Sequence, residues 1–559
     1  MDDEYRHSIS GAPHIFADFL TGSTTDCLGC FQLHIETTTT DSILEPTCSP
    51  PDSAAPITVV VTPCWPQHKQ FRRTLIIAVV ALACLALLQA RWHDIALLRG
   101  SKPAAKLAGY PVAVIENDDA PRTMVTASAF RPVAYPAGHN KTLAELCASF
   151  PRHLLATVQP VLKTGFTDAP GRLLSQMESC SACFAPGDLL VFSDLDDVYR
   201  GHEVIDLLAT LPAAYHAYEQ FAPYFEQKRL RDSGEAAANP DALGAINGWK
   251  LDKFKFLPQV EKAWEMKPNR DFYVFYETDT YVFWDPLLRF LDTLDPDTPL
   301  YLGSASPGRQ DEIGRDTWFA NGGPGYVLSR AAVQKLLHRR VSPTGVYIDP
   351  PFAEKHRHLL HDLECCGDSA LGYALWQSGI QLQALYPMFS QHPLHHTPFD
   401  AMRWCSPLLT MHKSSFDDMR AVFQWEFTAR SNDYAMRHRD LWEFNNPGSE
   451  SRRADWRNDD RFGRKVEGDV VIDTQAACEA HCRSLEACLM WMWHGDDVDE
   501  CFVSEDVLLY GQEARPESVD DRRQASYTSG WIVDRVKEWK ARHECNDTLW
   551  LSHSFARIF

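Results

Sequence analysis

Residues 272–284 constrain the fold more than any other stretch. Phe272-Tyr273-Val274-Phe275-Tyr276 is aromatic and β-branched with no charge, and Glu277-Thr278-Asp279 follows at once. An uncharged run of this kind fits a strand buried on both faces, as in a parallel sheet, so the rest of the chain must supply a layer for each face. Glu277 and Asp279 then fall at the strand's C-terminal end, the edge where open α/β sheets bind ligands. Carboxylates there can hold a hard divalent cation, and such a cation can neutralise a diphosphate. A solvated acidic turn is the plainer alternative.

At 559 residues the chain is too long for one compact core, which suggests two or three domains with linkers. Its formal net charge of −21 argues against a nucleic-acid partner, and no basic stripe compensates locally. A small-molecule or glycan substrate fits better. The 16 cysteines crowd into short spacings after residue 147, as expected for an oxidising compartment.

Residues 74–90 carry no charged side chain. At about 1.5 Å per residue they reach roughly 25 Å, enough for a thin bilayer. Lys69, Arg72 and Arg73 precede them and only Arg91 follows closely. The positive-inside rule then gives a single-pass type II topology, with everything after residue 90 lumenal. Residues 1–73 are expected to be a disordered cytosolic tail rich in Thr, Ser and Pro, with Cys27 and Cys30 as free thiols, half of a zinc site being the alternative. Residues 91–148 would be a lumenal stem, with a glycosylation sequon at Asn140.

From about residue 150 the pattern is α/β. Strands are expected at 153–159, 188–194 and 300–303, besides the central one. Helices are expected at 172–177, 202–211, 215–231, 249–264 and 286–294. Their alternation favours an open parallel or mixed sheet over residues 149–430. A linker would follow at 431–466, then a compact cysteine module at 467–540 and a tail at 541–559. In the module, Cys478, Cys482 and Cys488 lie on or beside one amphipathic helix and Cys501 follows an aromatic strand. These four can staple a helix to a sheet, in any of three pairings. Cys180 with Cys183, and Cys365 or Cys366 with Cys405, are candidate bridges elsewhere; the partner of Cys545, beside a second sequon at Asn546, is not readable.

Three further motifs matter. Gly322-Gly323-Pro324-Gly325 lets backbone approach a ligand closely, and Ser329 can cap a helix over 330–337. Asp368, in Cys365-Cys366-Gly367-Asp368, stands at the start of a helix running to Gln377, where a simple capping role is the bland alternative. His412 ends a short apolar strand, and a lone histidine is more often structural than a ligand.

Lys163-Thr164, Phe192-Ser193-Asp194, Gly248-Trp249-Lys250-Leu251-Asp252-Lys253, Glu277-Thr278-Asp279, the Gly322 loop, Gly367-Asp368 and Thr410-Met411-His412 occur in this order. Together they resemble the inverting β1,3-glycosyltransferase family that includes fringe and the core-1 β1,3-galactosyltransferases, and more closely its fungal branch, in which a tail with a PAN/apple domain is found. The resemblance implies a GT-A fold, a Rossmann-like mixed sheet, with a UDP-sugar donor and Mn²⁺. It gives Asp279 and His412 as metal ligands and Asp368 as catalytic base. Lys163, Thr164, Asp194, Glu277 and Thr278 become donor-binding residues, and Trp284, Gly322, Gly323 and Tyr326 become acceptor-side or pocket-lining residues. For the cysteine module it implies the nested bridges Cys478–Cys501 and Cys482–Cys488 and a protein or carbohydrate ligand. Two departures from the family pattern are Glu277 in place of an aspartate and Pro324 in place of a small residue.

The implied reaction is Mn²⁺-assisted transfer of a hexose, galactose first, from a UDP-sugar to a hydroxyl of a glycan or glycoprotein. It would invert the anomeric centre and form a β1,3 link, as in enzymes that galactosylate glycoprotein N-acetylgalactosamine. A Golgi or other secretory-pathway membrane is the expected location. The rival expectation is a catalytically inactive glycan-binding membrane protein that uses the apple-like module.

Overall fold

The computed structural model describes residues 141–559 except 429–434, 446–449, 459–462, 468–471, 496–498, 515–525 and 552–559. The proposed cytosolic tail, membrane segment and Asn140 sequon, and nearly all of the proposed stem, lie outside the described residues. Among the described residues no helix is long and apolar enough to cross a membrane.

The central element is β5, Phe272–Glu277. Its side chains alternate between two cores: Phe272, Val274 and Tyr276 enter one, Tyr273 and Phe275 the other. The two-residue period of a strand does this sorting, and because both faces are apolar both are covered. Burying one such ring is worth about 1.5–3 kcal/mol.

Around β5 lie β1 (Val158–Lys163), β2 (Leu190–Ser193), β3 (Asp197–Tyr199) and β4 (His202–Asp206) on one side. On the other lie β7 (Tyr301–Gly303), β10 (Tyr326–Ser329) and β11 (Leu382–Ala384). The order is β11-β7-β10-β5-β1-β2-β4-β3, with β1, β2, β4 and β5 parallel and β10 antiparallel to β5. Two-residue β6 (Tyr281–Val282), the β8 (Ala305–Gln310) and β9 (Asp316–Ala320) hairpin, β12 (Phe389–Ser390) and β13 (Thr410–Met411) stand outside it; β12, β13 and β6 form a small second sheet. This is a mixed α/β architecture of the GT-A-like kind.

Several local expectations are corrected. The first strand starts at Val158 rather than 153, because 152–156 forms a 3-10 turn. Pro160 is tolerated inside β1 because the ladder to β2 begins only at Val161. Residues 202–206 are a strand, not a helix. Val204 and Ile205 suit a pleat, and Asp206 ends it by accepting from the amides of Leu208 and Ala209 at 2.8 and 2.9 Å. The helix expected over 215–231 is broken, and Pro223 sits in the first turn of the Ala222–Asp232 helix. Ser329 does cap Arg330–Leu336, accepting from the Ala332 amide at 3.2 Å.

Cysteine pairing departs from expectation in the larger domain and agrees with it in the module. Cys147 bonds Cys183, leaving Cys180 a buried thiol 3.1 Å from Gln176 Oε1. Cys405 bonds Cys545, so neither Cys365 nor Cys366 is its partner. Cys478–Cys501 and Cys482–Cys488 are both present and staple the Gln475–Ser484 helix to the sheet.

That sheet has the order β14-β20-β17-β18-β16. Its strands are β14 (Arg452–Ala454), β16 (Arg464–Lys465), β17 (Met490–His494), β18 (Glu500–Ser504) and β20 (Tyr527–Trp531). A separate pair joins β15 (Trp456–Arg457) to β19 (Gln512–Glu513). The stretch expected as linker therefore supplies three strands, and the expected tail is anchored by Cys545 and by Trp550 stacked on Phe290 at 6.0 Å. The module shares a core with the larger domain: Trp404 meets Trp539 edge-on at 5.1 Å, and Phe399 pairs with Leu508.

Candidate active site

At the C-terminal edge of β1 and β5, register decides what meets. Lys163 is the partner of Glu277 across that ladder. The Lys163 ammonium is buried, 3.1 Å from Glu277 and 2.5 Å from Asp252, and lies 4.1 Å over the Phe256 ring. Burial alone would depress this ammonium, but Asp252 and Glu277 outweigh it and leave it above the ordinary lysine value. Burial pushes Glu277 up to about 7, against the pull of Lys163. Asp252 also feels burial, yet Lys163 and Lys255 hold it below its ordinary value.

The turn after β5 is held by its backbone. The Gln176 amide donates to the carbonyls of Glu277, Thr278 and Thr280 at 3.2, 3.1 and 2.7 Å. The Thr280 hydroxyl donates to Gly323 O at 2.5 Å and accepts from the Glu277 amide at 3.1 Å. Next comes β6, and antiparallel β13 sets Met411 opposite Tyr281. That pairing carries His412, the next residue after β13, to Asp279: Nε2 lies 3.7 Å from Oδ2. Burial lowers the imidazole's pKa, opposed by the charge of Asp279, which favours the form with a lone pair to give.

The Gly322-Gly323 loop fills the space between these groups. A Cβ on Gly323 would stand 2.1 Å from the His412 ring, and one on Gly322 would stand 2.9 Å from Glu277 Oε1. Only glycine fits at either place. On its other side the Gly322 amide donates to Asp368 Oδ2 at 2.9 Å, and Ser369 N donates to Oδ1 at 2.9 Å. Burial raises the pKa of Asp368 and these two amides oppose it. Asp279, His412 and Asp368, far apart in sequence, thus converge on one glycine loop.

Other expected residues are placed differently. Trp284 is in the core, edge-on to Phe184 at 5.1 Å, its indole donating to Cys180 O at 2.9 Å. Tyr326 is stacked on Phe275 at 4.8 Å, its hydroxyl accepting from Gln259 at 2.7 Å. Neither lines an open pocket, because aromatic rings flanking a buried strand satisfy the core first. Asp194 is fully buried and accepts from Phe166 N at 2.6 Å, while the Thr164 hydroxyl donates to Gly165 O at 3.3 Å. Thr278 is buried. Asn546 is exposed.

Gln176, Asp252, Lys255 and Arg172 complete the site without having been singled out. Arg172 stands 4.0 Å from Asp279, and Lys255 donates to Thr164 O at 2.9 Å. Asp252 and Lys253 belong to a motif quoted from the sequence, and that motif was the available signal. Nothing local marks Gln176. An open depression of about 730 Å³ lined by Lys335, His338, Arg340 and Lys355 lies at the other end of the sheet, beside the Arg330–Leu336 helix, and takes no part.

Among the described residues no group of three or more His, Cys, Asp or Glu side chains could hold a metal ion alone. Asp279 and His412 nonetheless fit one as a pair. Their 3.7 Å is too long for a hydrogen bond and within reach of two ligands each about 2.1 Å from a shared ion. Such an ion would take its other ligands from phosphate and water, as hard cations at nucleotide sites do.

No curated protein matches this chain. Residues 251–389 match the family model described as Fringe-like, a stretch that runs from beside Asp252 through Asp279, the Gly322 loop and Asp368, and this supports a fringe-like glycosyltransferase domain.

Proposed function

We propose that the protein is an inverting, divalent-cation-dependent glycosyltransferase that moves a hexose, galactose in the first instance, from a UDP-sugar to a glycan hydroxyl. The observation that carries this reading is the approach of Asp279 to His412 across a glycine loop whose other side bonds Asp368. Asp279 and His412 would hold Mn²⁺, and an imidazole among oxygens suits such a borderline ion. When bound, the cation supplies charge to the leaving diphosphate.

Every other role falls to the chain. Lys163, poised over Phe256 between Asp252 and Glu277, and Arg172 beside Asp279 bring positive charge to the donor edge. Asp368 takes the proton from the acceptor hydroxyl as its oxygen attacks the anomeric carbon from the face opposite UDP, so one displacement converts an α-linked donor into a β-glycoside. Its two amide donors fix the carboxylate's orientation, and its raised pKa strengthens it as a base. Lys163, Thr164, Asp194, Glu277 and Thr278 shape the donor side, and Gly322 and Gly323 form the floor.

The β1,3 linkage, the Golgi-type membrane, the type II anchor at 74–90 and a PAN/apple identity for the C-terminal module belong to the same reading. They rest on the resemblance of motifs and on the charge asymmetry around residues 74–90. The test is UDP release from a panel of UDP-sugars with and without Mn²⁺, in the presence of glycan acceptors. Thermal protection by one donor only when Mn²⁺ is present is the expected companion. Donor protection that is indifferent to Mn²⁺ and to Asp279→Asn would remove the proposed metal pair.

A further inference from the structure

Two residues before Asp368 the chain carries adjacent cysteines that none of the four disulfides among the described residues uses. Cys365 is exposed and Cys366 partly so, and their sulfurs lie 2.7 Å apart, closer than two sulfurs that merely touch. Cys180, the other free thiol among the described residues, is buried. The pair sits at a mechanical junction. Cys366 is the residue that caps the Gly367–Gln377 helix in extended conformation, and its carbonyl accepts from Ala370 N at 3.1 Å.

Gly367 has no room to move. A Cβ there would stand 2.3 Å from the Phe256 ring and 2.7 Å from Lys253 O. That same Phe256 ring lies under the Lys163 ammonium. Burial and the adjoining Cys365 sulfur push the Cys366 thiol well up, so the exposed Cys365 is the sulfur that meets an oxidant first.

We propose that Cys365 and Cys366 form a vicinal disulfide that holds the Asp368 carboxylate against Gly322. Adjacent Cα atoms stand about 3.8 Å apart, so the bond closes an eight-membered ring around the 365–366 peptide and leaves that peptide few conformations. The restraint passes through Gly367, already wedged, to Asp368. The oxidant is a small-molecule disulfide such as glutathione disulfide. One cysteine thiolate attacks it, breaking its S–S bond and releasing one glutathione thiolate. The neighbouring thiolate then attacks the mixed disulfide, forming the Cys365–Cys366 bond and releasing the second glutathione. Two electrons pass to the oxidant, and the two protons lost by the cysteines go to the glutathiones.

The structural half stands alone, whereas the positioning half rests on the proposed role of Asp368. Full-length protein is equilibrated with glutathione disulfide, alkylated without reduction, digested and weighed. The expected result is a 365–366 peptide about 2 Da lighter than its dithiol, with neither cysteine alkylated. Mild reductant should open this exposed bond before the buried ones, so that both cysteines alkylate. Alkylation of both cysteines, or glutathione on one alone, in the oxidised sample overturns the proposal. For positioning, opening the ring should lower kcat for transfer about 10-fold with the donor KM unchanged, and reoxidation should restore it. An equal loss in Cys365→Ser, which reductant no longer alters, is the second expected outcome. Unchanged kcat on opening sinks the positioning role, and absent transfer under every condition would count against the transferase reading while leaving the mass result to decide the bond.

Discussion

The sheet edge at Lys163 and Glu277 and the C-terminal cysteine module are held together by opposite means. At the edge, acids and bases distant in sequence meet through strand register, and their charges are confined by buried ladders and a glycine loop. In the module, bridges spanning 6 and 23 residues fasten one helix to one sheet. Groups within a site can be exchanged while the fold stands, because backbone hydrogen bonds hold their carriers. Removing what joins module to domain should instead cost stability everywhere, because Trp404, Trp442, Trp531 and Trp539 belong to a single core.

The sharpest way to break this contrast is Asp368→Asn. The amide oxygen can still accept from Gly322 N and only the Ser369 N bond is lost, so stability should fall by about 1 kcal/mol while transfer falls about 10³-fold, the usual scale for a general base. A comparable fall in melting temperature would mean that Asp368 is structural. Next in size, Trp404→Ala should cost about 3–5 kcal/mol of unfolding free energy. Because Trp404 sits against Trp539, the larger domain and the module should melt in one transition. Two separate transitions would show that they are independent.

Acid should destabilise the core, while Glu277, pushed up to about 7 by burial, takes up its proton over the same range and opposes part of that loss. Burial lowers His356 to about 3 and His438 to about 4. Both are buried, the ring of His356 has no hydrogen-bond partner among the described residues, and His438 Nδ1 lies 3.0 Å from Ser406 O. With a folded pKa below the unfolded value of about 6.5, each ring contributes fully above that pH. The contribution is lost as pH falls, because these rings take up protons only in the unfolded chain. Going from pH 7 to pH 5 should cost about 2 kcal/mol per ring, read from urea midpoints, and His438→Gln should flatten its part of the slope. Smallest of all, Thr474→Ala removes the hydroxyl that caps the Gln475–Ser484 helix by accepting from Ala477 N at 3.2 Å, and should cost about 1 kcal/mol with donor binding untouched.

Much of the site was legible because its motifs are short and local. The acidic pair after β5, the double glycine, the acid at a helix start and the histidine after an apolar strand can each be read without knowing what they face. Their neighbours could not be read in the same way. Gln176 is an ordinary helical residue until the Glu277 turn folds over its amide, and Trp284 and Tyr326 read as pocket walls until core packing claims their rings. The misread helix at 202–211 has a similar cause. Val204 and Ile205 suit either state on a short apolar run, and pairing with β2 decided for strand.

The amino-acid order by itself determined the buried central strand, the acids at its end, the glycines that admit close neighbours, and a module stapled by four cysteines. Only the tertiary structure decided that Cys147 bonds Cys183 and Cys405 bonds Cys545, that the module rests on the larger domain, and that His412 reaches Asp279. Local chemistry fixes what a residue is able to do, whereas these meetings depend on strand register and on packing between segments 36 to 140 residues apart, and no short window of sequence contains both partners.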